Sequence, residues 1–348
     1  MLAKYSNKVR DRFRCPNFLT FFISLCATSC LSVSFAEQTA NNYKPPRTEY
    51  GKPDLQGIWT NSSVTDLERP ASMQKLVLTE AEAKKWVDSD DLVERVRTDK
   101  QPVNPTTGLL DGTDLAAGRG YNSFWIDPGT QVGKVRGELR SSWIIDPANG
   151  RIPYSTAGRE HVARMRHRAE SYDGPEVRPL GDRCLATTGR TGPPMTNGLY
   201  NNHYQFVQTK DRVVLLNEMV QHARTVRMNG EHLPKNIRPL FGDSIGWWDG
   251  DTLVVETTNF HPLHSMHGHP AYLTETGKVT ERFTRYSATQ ILYEFTVEDP
   301  ALYTQPWRGE LSFNKSPERI YEYACHEGNY AMIGILAGAR EQEKKSGK

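Results

Sequence analysis

Glu218, Gln221, His222 and Arg224 lie within seven consecutive residues, a density of titratable side chains that suits proton transfer. An imidazole beside a carboxylate is the commonest general acid/base arrangement, because histidine exchanges its proton near neutral pH. His222 and Glu218 are therefore candidate catalytic residues, and Arg224, on the same strand face as His222, is a candidate ligand contact. His326 and Glu327, next to Cys325, form a second candidate catalytic pair. Glu256 follows Leu253, Val254 and Val255, and such apolar neighbours would raise its pKa, so it joins the candidate ligand contacts. Each has a structural alternative: Glu218 with Arg224 as a cross-strand pair, His222 as a turn residue, His326 and Glu327 as a strand end, Glu256 facing solvent.

His261, His264, His267 and His269 place four of the ten histidines in one loop of nine residues. Neutral imidazoles on a flexible loop could converge on Zn²⁺ or Cu²⁺, although the spacing is irregular and no carboxylate is near. No cofactor is expected otherwise; a divalent metal on this loop is the alternative. Tyr204, Trp248 and Tyr323 are candidate pocket-lining aromatics among many that a large β protein needs for its core. The chain has no glycine-rich phosphate loop between strand and helix, no Gly-x-Ser-x-Gly and no His-Glu-x-x-His. Nucleotide-dependent, α/β-hydrolase and zincin chemistries are thereby disfavoured.

The elements that must position these groups are strands. Gly242–Thr258 carries Asp249-Gly250 between two runs rich in β-branched and aromatic residues, which predicts a hairpin with a type I′ turn centred on that pair. Similar hairpins are expected for 204–208 with 212–219, 279–286 with 291–297, and 307–313 with 319–325, while 223–228 should turn at Asn229-Gly230. The fold class is mainly β: an antiparallel meander of nine strands, closing on itself because closure removes exposed edges. A few helices belong to the flanks. Thr79-Glu80-Ala81-Glu82 is a capping box ahead of a helix to about Arg97, and a basic helix follows from Ala157 to about Ser171.

Residues 4–14 hold five basic side chains against one acid and precede an apolar stretch from Phe18 to Phe35, the pattern of a cleaved export signal over 1–36, with an uncleaved membrane anchor as the alternative. Its removal takes the formal charge from +2 to about −2. No basic patch suited to nucleic acid is then left, nor a second apolar run long enough for a membrane. The expected location is periplasmic or secreted. Cys184 and Cys325 remain after cleavage, and an oxidising compartment favours one disulfide between them over two free thiols. The expected organisation is an extended arm over 37–120 with one strand and one helix, and a barrel domain over 121–340. A loop-rich insertion over 171–202, a lid or plug, interrupts the barrel domain, and a charged tail occupies 341–348.

Gly57-Ile58-Trp59 resembles the Gly-x-Trp that opens the first strand of lipocalin-like β-barrels, the calycin group, whose tryptophan plugs the closed end of the barrel. The region from about Tyr121 to Arg340 is also similar to a widespread group of secreted bacterial proteins that brings no activity with it. Arg183-Cys184, Glu281-Arg282-Phe283-Thr284 and Glu322–Tyr330 are among the stretches carrying that likeness. The resemblance implies a calycin-like barrel with room for one small guest. The expected function is to take up a small, largely apolar molecule and perform non-redox acid/base chemistry on it, of hydratase, dehydratase, isomerase or cyclase type. A periplasmic carrier without turnover and a metal-dependent enzyme are the alternatives.

Overall fold

The computed structural model describes residues 43–99, 126–187, 191–266 and 271–347. Residues 1–36, where an export signal is expected, the glycine- and proline-rich segment over 100–120, and His267 and His269 lie outside them.

Nine strands form a closed ring: β1 (Gly57–Thr60), β6 (His203–Gln208), β7 (Arg212–Asn217), β8 (Ala223–Met228), β9 (Asp243–Asp249), β10 (Thr252–Thr258), β11 (Lys278–Arg285), β12 (Gln290–Glu298) and β13 (Trp307–Lys315). β13 pairs with β1, through Trp59 opposite Lys315, and this completes the circuit. All the ring pairings are antiparallel except β8 with β9. The exception follows from parity: directions alternating around an odd number of strands cannot return in phase. The turn expected at Asn229-Gly230 is accordingly a crossover, with residues 229–242 carrying the chain round to the start of β9.

The count of nine matches expectation but the membership differs. Residues 319–325 form no strand, because the edge of β13 they would need is occupied by β1 and by β5 (Ile144–Asp146). The Gly-x-Trp strand thus takes the place assigned to them. In the β9–β10 hairpin Thr252 lies opposite Asp249, so the central residues are Gly250 and Asp251 rather than Asp249 and Gly250. Gly250 is at φ 59 and Asp251 has no positive φ, the pattern of a type II′ turn.

Inward positions alternate along each strand and are filled by their own side chains. Trp59, Tyr204, Phe206, Phe283, Tyr293, Phe295, Trp307 and Phe313 are all buried in one core. Phe295 lies opposite Gly309, where a Cβ would come within 2.3 Å of its ring, so the glycine makes room for the aromatic. Trp59 donates from Nε1 to the Leu55 carbonyl at 2.9 Å, and the Arg285 guanidinium sits 5.4 Å from its ring centre.

A small sheet of β2 (Val77–Leu78), β3 (Lys134–Val135) and β4 (Glu138–Arg140) lies beside β13. It supplies two arginines to the barrel wall. Glu294 and Glu310 face each other across β12 and β13, a repulsive pairing that Arg136 bridges and Arg140 reinforces.

The capping box forms as expected, but the helix divides into α1 (Glu80–Asp88) and α2 (Asp91–Asp99). Ser89 closes the first, and the Asp90 carboxylate accepts from the Leu92 and Val93 N–H groups to start the second. Helix α3 (Thr156–Ala169) packs Val162 and Met165 on the core. The expected charged tail is helical through Ser346, as part of α4 (Ala331–Ser346). Cys184 and Cys325 are disulfide-bonded, with Cα atoms 5.7 Å apart. Among the described residues no helix is long and apolar enough to cross a membrane.

Candidate functional site

The polar groups nearest the barrel axis are saturated by one another. Arg224 on β8 reaches past β9 and β10 to Glu281 on β11 and binds both carboxylate oxygens, one of them at 2.8 Å. Tyr293 donates to the same carboxylate at 2.8 Å and accepts from the Met195 N–H at 2.9 Å. Burial works against the Arg224 charge, but the adjacent Glu281 more than offsets it and raises the guanidinium's pKa; burial also pushes the Tyr293 phenol well up. Residues 191–196, within the loop-rich insertion, are buried, and Met195 places its sulfur 3.6 Å from Arg224. Arg224 therefore pairs with Glu281, not with Glu218, and Tyr204 stacks edge-on against Phe313 in the packed core.

Glu218 finds a different partner from the histidine first assigned to it. His203 and Glu218 extend the β6–β7 ladder by one step beyond Tyr204 opposite Asn217, and Glu218 N–H donates to the His203 carbonyl at 3.0 Å. Their side chains meet on the same side: His203 Nδ1 lies 3.3 Å from Glu218 Oε2, with side chains 16% and 8% exposed. The hydrogen bond to Glu218 raises the His203 pKa, against a smaller opposing effect of burial. His203 Nε2 lies 3.1 Å from Ser316 Oγ, beyond the end of β13. Because Tyr204 points inward, His203 is on the outer face of the barrel wall.

His222 follows two residues in the left-handed region, Val220 at φ 53 and Gln221 at φ 51. A β-branched residue there is strained by about 1–3 kcal/mol. The His222 ring packs 4.1 Å from that of Phe241, and its Nε2 is buried with no hydrogen-bond partner among the described residues. Burial, aided by the Arg224 charge, lowers its pKa to about 4, so the ring is neutral at physiological pH.

The remaining candidates are dispersed. Glu256 Oε1 lies 3.2 Å from His232 Nε2, and His232 Nδ1 lies 2.9 Å from Asp243, which also binds Arg227 and the Leu233 N–H. Burial opposes the Asp243 charge, but those donors together hold its carboxyl below the ordinary value. Trp248 is half-buried against the core and Tyr323 half-buried on the C-terminal segment. His326 and Glu327 are exposed beside the disulfide. His261 Nδ1 accepts from the Leu263 N–H, whereas His264 is buried against Phe260 and Phe241. Among the described residues no three His, Cys, Asp or Glu side chains gather as a metal site. A groove of about 820 Å³ along α1, lined by Met73, Lys75, Leu78, Glu82, Trp86 and Leu92, holds none of the candidates.

His203, Ser316, His232 and Glu281 were not singled out by sequence. A signal for His203 existed: a two-residue turn at Lys210-Asp211, closed by Thr209 opposite Arg212, sets a register in which residue numbers of partners sum to a constant, and that register carries 203 to 218. Glu281 had none, because its partner lies three strands away.

Fold and wall together define a closed nine-stranded mixed β-barrel, consistent with a calycin-like barrel, with a histidine–carboxylate pair on its outer face. In comparisons with known proteins the chain matches no family model, no curated protein and no solved structure.

Proposed function

We propose that this chain is an exported, lipocalin-like barrel protein that performs non-redox acid/base chemistry on a small, largely apolar molecule. His203 carries the proton and Glu218 positions it. The observation that supports this reading is the 3.3 Å contact between His203 Nδ1 and Glu218 Oε2, which leaves Nε2 to the Ser316 hydroxyl 3.1 Å away. A carboxylate on one ring nitrogen sets the tautomer and strengthens the other as a base. The placement of Gly57-Ile58-Trp59 in the strand that closes the ring supports the lipocalin-like assignment.

The outer face is favoured over the interior because the inward positions are filled by their own aromatics and by the saturated Arg224–Glu281 pair. Apolar surface lies close by. Gln221, three residues after Glu218, donates to the Tyr321 carbonyl at 2.8 Å, and Tyr321 is 68% exposed.

The test is to incubate wild type and His203→Ala with a small-molecule extract of the producing cells and follow depletion by mass spectrometry. At least one compound should be converted by wild type, and its rate should fall by about 10²–10⁴-fold in the variant. Equal conversion by both proteins, or none by wild type, overturns the reading.

A further inference from the structure

We infer that Ser316 is a nucleophile, and that Ser316, His203 and Glu218 form an acyl-transfer triad whose substrates are carboxylic esters. This rests on the acid/base reading of His203 and names the substrate class of the same site. The geometry is that of a nucleophile, a base and an orienting carboxylate in sequence. Ser316 Oγ lies 3.1 Å from His203 Nε2, and Glu218 Oε2 lies 3.3 Å from Nδ1. With the Nδ1 proton held by the carboxylate, the Nε2 lone pair faces the serine hydroxyl, the arrangement that activates an otherwise weak alcohol.

Three separated parts of the chain build it, each fixed by backbone pairing. His203 opens β6 opposite Thr60 of β1, and Glu218 follows β7. Ser316 follows β13, with its N–H donating to the Ile58 carbonyl at 2.9 Å. The Glu318 N–H donates to Ser316 Oγ at 3.1 Å, a bond that stabilises negative charge on that oxygen. Ser316 is half-buried.

The reaction balances without any external redox partner. Ser316 Oγ bonds to the ester carbonyl carbon while its proton passes to His203 Nε2. Collapse of the tetrahedral adduct breaks the bond to the alkoxy oxygen, which leaves as an alcohol carrying that proton. Water then adds to the acyl-serine, giving a proton to His203, and cleavage of the acyl–Oγ bond returns the proton to Ser316 and releases the carboxylic acid.

The experiment uses the full secreted chain with a fluorophosphonate probe, which transfers its phosphonyl group to an activated serine with loss of fluoride. Wild type should gain one phosphonyl group, mapped by peptide mass spectrometry to Ser316. Labelling should vanish in Ser316→Ala, slow at least tenfold in His203→Gln, and persist in a Ser346→Ala control. For Glu218→Gln the pH at which labelling is half-maximal should fall, which a merely structural role would not produce. Circular dichroism checks that each variant is folded, and Ser316→Cys, which should react with iodoacetamide faster than a free thiol, covers loss of fold in the alanine variant. No label at Ser316, or label at Ser316 unaffected by His203→Gln, overturns the triad. If His203-dependent conversion of extract compounds persists in that case, only the triad fails; if it is also missing, both readings fail.

Discussion

Two of the carboxylates that the barrel pairs with a cationic or basic side chain, Glu281 and Glu218, differ in what is left over. Glu281 is 0% exposed, and both its oxygens are taken by Arg224 and Tyr293. Glu218 contacts a histidine whose second nitrogen meets the hydroxyl of half-buried Ser316. Both pairs hold opposite or complementary charges at short range. The interior pair has no spare valence for an incoming molecule and behaves as a strut, whereas the outer pair ends in a group that can react. On the proposed function, completeness of pairing, more than charge or burial, separates structural from chemical use of the same residue types.

The strongest challenge to the distinction is removal of one interior partner. Glu281→Ala should leave Arg224 buried and uncompensated and cost about 3–5 kcal/mol in urea unfolding, with Arg224→Met/Glu281→Leu costing much less. A loss below about 1 kcal/mol for Glu281→Ala would show that the pair is not a strut.

The two histidines flanking the β7–β8 connection should respond to pH in opposite directions. His222 has a folded pKa of about 4, below its unfolded value of 6.5. The unfolded chain therefore takes up its proton first, and the stability that His222 supports above pH 6.5 is lost as pH falls toward 4. That loss should reach roughly 2–3 kcal/mol and be absent in His222→Phe. His203 is raised instead, so its contribution is present below 6.5 and is lost as pH rises through the folded pKa. NMR titration of the two rings should give one midpoint on each side of 6.5. Two midpoints on the same side would remove the contrast between the two rings.

A smaller effect is expected at the outer pair itself. Glu218→Gln should cost about 1–2 kcal/mol, since the side chain is buried but the amide can retain one hydrogen bond to His203. A loss comparable to that of Glu281→Ala would make it a second strut. The smallest effect is at the strained turn between the sites. Val220→Gly should raise stability by about 1 kcal/mol or less, because glycine accepts positive φ but adds entropy to the unfolded chain.

Much of this was legible along the chain wherever one element sufficed. The strands β6, β7, β9, β10, β11 and β12 announce themselves by alternation and turn residues, and Thr79 with Glu82 marks the start of α1. The site was half legible: Glu218 was chosen, but proximity in sequence paired it with His222 rather than His203. His222 packs on Phe241, whereas the hairpin register sets Glu218 across from His203, so a residue four positions away is a worse neighbour than one across the hairpin.

What the sequence by itself determined is therefore the local hairpins, the β class and the types of group available for chemistry. Alternation with a period of two and the turn preferences are properties of a few adjacent residues. Only the tertiary structure decided which strand closes the ring, that β8 and β9 run parallel, and which partners Arg224, Glu281, His203 and Ser316 take. Those outcomes depend on strand number and on barrel closure, which bring together positions more than a hundred residues apart, such as His203 and Ser316, with no periodicity to link them.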